Sequence, residues 1–226
     1  VFGPGDFRTP TEHRPPPPLL RPGDELRLDS LRAVVTTVLA HRRLIELRFE
    51  NPVGDIWEGI ARQGRPIQYA YIPEPLAIWD TWTRIASLPV AFEAPSAGFI
   101  LDWAIIGALR ARGAAFATLT HAAGLSSTGD TNLDGLLPLD EPYDIPTLTA
   151  ASIDKSRARG GRVVAIGTTV VRALEHAARC DGTVRPGPGI ATQRLGQHTR
   201  LRCVDVIVSG THEPGTSHYD LLRAFQ

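Results

Sequence analysis

Three short stretches of this chain set reactive side chains among residues small enough for a ligand to approach. Thr120-His121-Ala122-Ala123-Gly124 and Ser209-Gly210-Thr211-His212 each follow an apolar run and carry one histidine. A histidine at the C-terminal end of a strand, followed by small residues, is where α/β proteins place ligand-facing groups, although a lone histidine is more often structural. The third stretch is Gly167-Thr168-Thr169, which separates the β-branched run 162–166 from Val170, Val171, Leu174, Ala177 and Ala178 at helical spacing. A buried strand that turns directly into a helix leaves the first helical N–H groups unpaired, with the positive end of the helix dipole behind them. Such a turn holds a carboxylate or a phosphate. Thr168 or Thr169 is placed to cap it, and Arg172 and Glu175, three apart, share a helix face near its mouth. The same residues equally describe a strand-helix joint with a surface ion pair, and neither GxxxxGK[ST] nor GxGxxG occurs.

The elements that must position these groups follow from periodicity and breakers. Residues 1–22 are rich in proline and glycine and read as a linker or extended edge. Segments 25–28, 33–39 and 43–49 read as strands of a meander or small barrel, and 52–63 as a helix stopped by Gly64. Ala94-Pro95-Ser96-Ala97-Gly98 is a tight loop whose backbone can approach a ligand closely. A helix over 101–112, a buried strand over 115–120, a helix over 147–159, a loop over 182–196, a strand over 201–208 and a helix over 219–225 complete the reading. Asp140 and Glu141 are adjacent carboxylates in a turn, an arrangement that is usually just solvated.

At 226 residues the chain can bury a substantial core as one large or two modest domains. It shows no apolar run of membrane-spanning length and no signal-peptide pattern, which predicts a soluble protein with no membrane partner. Cys180 and Cys203 stand far apart, without CxxC or His-Cys clustering, which argues against structural zinc and a disulfide framework and points to a reducing cytoplasm. Its 24 basic and 24 acidic residues balance, so total charge does not advertise nucleic acid; Arg157, Arg159, Arg162, Arg172 and Arg179 offer a locally basic face. Methionine is absent and Val1 stands first, which predicts that residues and both ends are missing from this sequence.

GTTVVRALE, residues 167–175, resembles the GTTxVRxLE signature of the S-adenosylmethionine:tRNA ribosyltransferase-isomerases, which make epoxyqueuosine in tRNA. Other motifs follow in the family's order over roughly residues 20–226. Ala94 to Gly98 is similar to APTAGLHF, with Ser96 for threonine and without the histidine after Gly98, so no role passes to Phe99 or Ile100. The loop at His121 resembles LHVGAGTF. Leu139-Asp140-Glu141-Pro142-Tyr143 resembles an HSEY-like element. The loop 209–217 is similar to TNFHLPxST and keeps His212, Pro214 and Ser217. Where the family has a YQTVY-like element, this chain reads WDTWT at 79–83, and packing is the likelier role for Trp79 and Trp82.

The resemblance implies an α/β fold, a mixed-sheet or barrel-like catalytic domain (51–226) with a small inserted β-barrel domain, of which 1–50 would be part. It implies transfer and isomerisation of the ribosyl group of S-adenosylmethionine onto 7-aminomethyl-7-deazaguanine in tRNA, releasing adenine and methionine. S-adenosylmethionine and that tRNA are then the partners, with no cofactor, no metal and a monomeric protein. A base must remove the proton from the ribose carbon next to the sulfonium, and a histidine titrating near 6.5 suits it. His121 or His212 is that base, with Glu141 or the second histidine orienting adenine. Gly167, Thr168, Thr169 and Arg172 would hold the methionine carboxylate or a phosphate, and Ser96, Ala97, Gly98, Glu175 and Thr211 complete the substrate site. Two alternatives remain: ribosyl transfer to a different acceptor, or a nucleoside-binding paralogue without chemistry.

Overall fold

Alternation of apolar and polar residues builds the first sheet. Leu31, Ala33 and Val35 lie on the buried side of β2 (Leu31–Val38), while Arg32 and Thr36 face solvent. β1 (Glu25–Leu28) and β3 (Ile45–Phe49) flank it antiparallel, with Leu28 opposite Leu31 and a bulge between Val35 and Thr37. The intervening turn places Asp29 at φ 55°. α1 (Val53–Gln63) follows Pro52 and stops at Gly64, and its buried Gly59 lets Leu31 pack in, since a β-carbon there would come 2.8 Å from the leucine. β1 and β3 each pair only with β2, so among the described residues this sheet is an open meander and not a closed barrel.

The computed structural model describes residues 1–68, 72–88, 93 and 95–226, so Ala94 and the aromatic pair Tyr69 and Tyr71 fall outside it. The chain divides into two compact units, Val1–Asp80 with Ser127–Leu136, and Thr81–Ser126 with Leu137–Gln226. In the first, Asp130 caps the short helix α3 (Thr131–Asp134) and pairs with Arg43 at 2.7 Å.

The second unit carries the functional motifs. β4 (Thr120–His121), β5 (Glu141–Ile145) and β7 (Gly187–Ala191) form an antiparallel sheet in that order, and β6 (Val164–Ile166) runs parallel to β8 (Val206–Val208). α2 (Trp103–Ala111), α4 (Thr147–Ala158), α5 (Thr168–Ala177) and α6 (Ser217–Leu222) accompany them. α5 is the axis of the core: Val171, Ala173, Leu174 and Ala177 are all buried, with Ile145, Val163, Ala165, Ala191, Val204 and Leu221 packed in the same cluster.

Four sequence expectations change here. Residues 115–119 join no strand, and only Thr120 and His121 pair with β5. The stretch read as a loop over 182–196 contains β7. Only 206–208 of the run 201–208 is strand, because the N–H groups of Arg202, Cys203 and Val204 donate to the Glu175 carboxylate and not to a neighbouring strand. Neither Thr168 nor Thr169 caps α5; Gly167 occupies the N-cap at φ 105°, ψ 144°, a left-handed geometry that glycine adopts without steric cost. For the last helix the cap is Thr216, whose side chain accepts from the Tyr219 N–H.

Candidate functional site

The site is built on β5 and α5. Along β5, Glu141, Tyr143 and Ile145 face inward and Pro142 and Asp144 outward. Two steps on the strand match four on the helix: Glu141 meets Arg172, and the Tyr143 hydroxyl bonds His176 Nδ1 at 2.9 Å. The second contact needs Gly189 on β7, because a β-carbon there would run into the tyrosine ring.

Glu141, 2% exposed, is the hub. Its Oε2 accepts from Arg172 and lies 3.3 Å from His121 Nε2, and its Oε1 accepts from the Gly124 N–H at 2.8 Å. One carboxylate thus holds α5, β4 and the small-residue loop after β4 together. Burial pushes its pKa up, but His121, the Gly124 N–H and Arg172 outweigh that and hold it below its ordinary value, so it is ionised. Arg172, 1% exposed, directs its remaining donors to the carbonyls of Leu139 (3.1 Å), Ala191 (2.9 Å) and Gln193 (3.3 Å). Its guanidinium, expected at a ligand, is spent inside the protein. Burial lowers its pKa and Glu141 opposes the shift; a guanidinium remains charged. Glu175 likewise faces protein, accepting three backbone N–H groups of residues 202–204.

The histidines lie around this pair. Both ring nitrogens of His121 are buried without a hydrogen bond, the approach to Glu141 being close but poorly aligned. His212 lies on the partly exposed loop after β8, bonded to Ser209 Oγ at 2.9 Å, and burial lowers its pKa. Its ring centroid is 4.9 Å from that of His218 on α6. His218 is pushed down to about 4, first by burial and then by His212, with Glu141 and Arg172 close enough to act on it as well. His218 thus feels both His212 and the buried ion pair, and its Nδ1 makes no hydrogen bond. Sequence reasoning missed it: it sits one residue past the Thr216-Ser217 capping pair, where nothing marks a site.

The 3-10 turn Ser96–Ile100 comes over two of these loops. A β-carbon on Gly167 would lie 3.9 Å from Ala97 Cβ, and one on Gly210 would lie 3.8 Å from Ser96 Oγ. Gly98 is buried, facing Thr83. Ser96, Ala97, Gly167, Thr169, His212 and the Glu141 cluster are thereby gathered in one unit, whereas Thr168 is buried within it and Thr211 points to no described partner and is exposed. No group of three His, Cys, Asp or Glu side chains among the described residues could hold a metal ion.

One mixed α/β unit thus carries the strand-helix turn, both histidine-bearing loops and the buried carboxylate. Residues 12–226 match the family described as queuosine biosynthesis protein, and the chain belongs to that family. Similar proteins include one named S-adenosylmethionine:tRNA ribosyltransferase-isomerase from Thiobacillus denitrificans, 34% identical over 91% of this chain and 60% of its own length. Another of that name, from Azoarcus sp., is 36% identical over 91% and 60%. A crystal structure of S-adenosylmethionine tRNA ribosyltransferase from Thermotoga maritima matches 57% of this chain and 40% of its own, at 26% identity and a TM-score of 0.43. The chain spans about 60% of the length of these curated relatives.

Proposed function

We propose that this chain takes part in transferring the ribosyl group of S-adenosylmethionine to 7-aminomethyl-7-deazaguanine in tRNA, with isomerisation to the epoxyqueuosine product and release of adenine and methionine. The observation that carries this reading is the approach of the Ser96–Ala97 turn to both Gly167 and Gly210 in the unit where His121 meets the Glu141–Arg172 pair and His212 lies beside His218. His212 takes the proton from the ribose carbon beside the sulfonium. Its loop is partly exposed whereas the His121 side chain is buried, and its lowered pKa keeps it neutral and able to accept at physiological pH. His121, whose ring nitrogens make no hydrogen bond within the protein, orients the adenine, and the Glu141 carboxylate 3.3 Å from its Nε2 steadies the imidazole. The uncapped N-terminus of α5 at Gly167 receives the methionine carboxylate. The meander of β1 to β3 corresponds to part of the small barrel expected for the family, and the protein works as a cytoplasmic monomer.

The altered Ser96 and Ser209 motifs favour, as a second reading, ribosyl transfer to a different acceptor. One experiment separates the two. Protein is incubated with S-adenosylmethionine and either tRNA carrying the modified base or buffer, and adenine and methionine are followed by mass spectrometry. Release only with tRNA is expected. Release in buffer supports the second reading, and no release in either overturns both.

A further inference from the structure

Two residues of α5 hold a loop. Arg172 reaches the carbonyls of Ala191 and Gln193, and Gln193 Nε2 returns a bond to the Arg172 carbonyl at 2.8 Å. Glu175 holds the N–H groups of Arg202, Cys203 and Val204 at 2.7, 2.9 and 2.8 Å. The segment 193–204 is therefore pinned to one helix at both ends, one turn apart. Its middle is fastened too: Leu195 is buried, and Gly196 and Thr199 close a tight turn through N–H bonds in both directions.

What this fixed loop displays is positive. From Gly182 to Val204 the chain contains four arginines and His198 but no aspartate or glutamate, in a molecule whose 24 basic and 24 acidic residues cancel overall. Arg194, His198, Arg200 and Arg202 are exposed. Against α6 the loop forms an open cleft of about 370 Å³, lined among others by Arg194, Gln197, His198, Thr199 and Arg223, with Asp220 its single acid. Arg223 is the residue that Asp220 neutralises, at 3.8 Å, and it also donates to Gln197. Arg194 lies near enough to Arg172 to disfavour its charge, so the cleft borders the site itself.

We infer that the loop 193–204 and its cleft form the docking surface for the phosphate backbone of the RNA substrate, held in register with the reacting groups by Arg172 and Glu175. This rests on the reading of tRNA as substrate. A shallow groove with arginines, a glutamine amide and hydroxyl donors suits phosphate oxygens, which fix register without reading sequence. The rigid anchoring lets a backbone contact at the cleft place a base at the neighbouring histidines.

The test measures binding of an unmodified tRNA transcript by fluorescence anisotropy across a salt series, for the protein as it stands and for the R194Q/R200Q variant. R159Q, which removes one positive charge at the exposed end of α4, serves as the control for charge loss outside the loop. Circular dichroism checks that the variants are folded. The double variant is expected to bind more weakly, with the slope of log Kd against log salt shallower by about one for each arginine removed, while R159Q matches the parent. In turnover, KM for tRNA rises with kcat unchanged. Equal affinity and slope in the parent and double variant overturn the inference, as does a parent that binds phosphatidylserine vesicles but no RNA. A parent that binds RNA through these arginines yet releases no adenine overturns the proposed function and leaves the docking surface standing. Adenine release with wild-type behaviour in the double variant does the reverse.

Discussion

Glu141 shows how little of a residue's task its type reveals. Beside Asp140 it reads as one of two solvated carboxylates, and Pro142 interrupts the apolar alternation that would have marked a strand. Once β5 forms, the two-residue period turns Glu141 inward and leaves Asp140 to solvent. A carboxylate at that depth persists because two cationic or polar side chains and one backbone N–H complete its shell. His218 is the opposite case, a buried imidazole near other titratable groups. Unfolded, it titrates near 6.5; folded, at about 4. Between those values the unfolded chain binds more protons, so stability is complete above 6.5 and falls as pH drops toward 4. His212, also lowered, adds in the same direction. At ~1.4 kcal/mol per unit the His218 contribution reaches about 2 kcal/mol or more. Urea unfolding at pH 7.5 and 4.5 checks it: the parent should lose more stability than H218L across that range, and equal losses would contradict the assignment.

At the scale of elements, the longer helices were legible because their punctuation is local, whereas the four-residue α3 (Thr131–Asp134) is too short to show a helical period. Pro52 and Gly64 bracket α1, and Gly160 follows α4, as the breakers require. β7 was not legible, since Gly187-Pro188-Gly189 reads as loop; it is a strand because it lies at the sheet edge, where proline costs no ladder bond, and because Gly189 makes room for Tyr143. The apolar run 115–119 promised a strand, yet what orders Thr118 is its carbonyl, which accepts from the Thr149 hydroxyl at 2.6 Å. Neither signal exists before the chain has folded. The loop anchored by Glu175 yields its own expectation. In E175A three backbone N–H groups lose their acceptor, at a cost of about 1–3 kcal/mol for each one that stays buried. Hydrogen exchange at Arg202, Cys203 and Val204 should accelerate while that of β6 and its neighbours changes less; unaltered protection at those three amides would remove Glu175 as an anchor.

For the whole molecule, the motifs read from the sequence are the ones the second unit gathers, and the family they suggested is the family the chain belongs to. What the motif pattern could not convey is direction. Arg172 and Glu175 share a helix with the Gly167 turn, but their partners arrive from β5, β7 and the segment 191–204, far away in sequence. The charge balance of the full chain similarly concealed a basic loop: of the five arginines expected to make a basic face, Arg159, Arg162 and Arg179 are exposed, Arg172 is buried and Arg157 donates to the Cys203 carbonyl, and further exposed arginines lie on the loop 193–204. On the signature helix, Arg172 and Glu175 therefore spend their charged groups on protein partners. The unfolding free energy of R172Q without any ligand tests that claim most directly. Removing the partner of a buried carboxylate should cost about 3–5 kcal/mol relative to the parent. A variant as stable as the parent, impaired only in binding S-adenosylmethionine or tRNA, would show that Arg172 serves the ligand and that the account of this helix is mistaken.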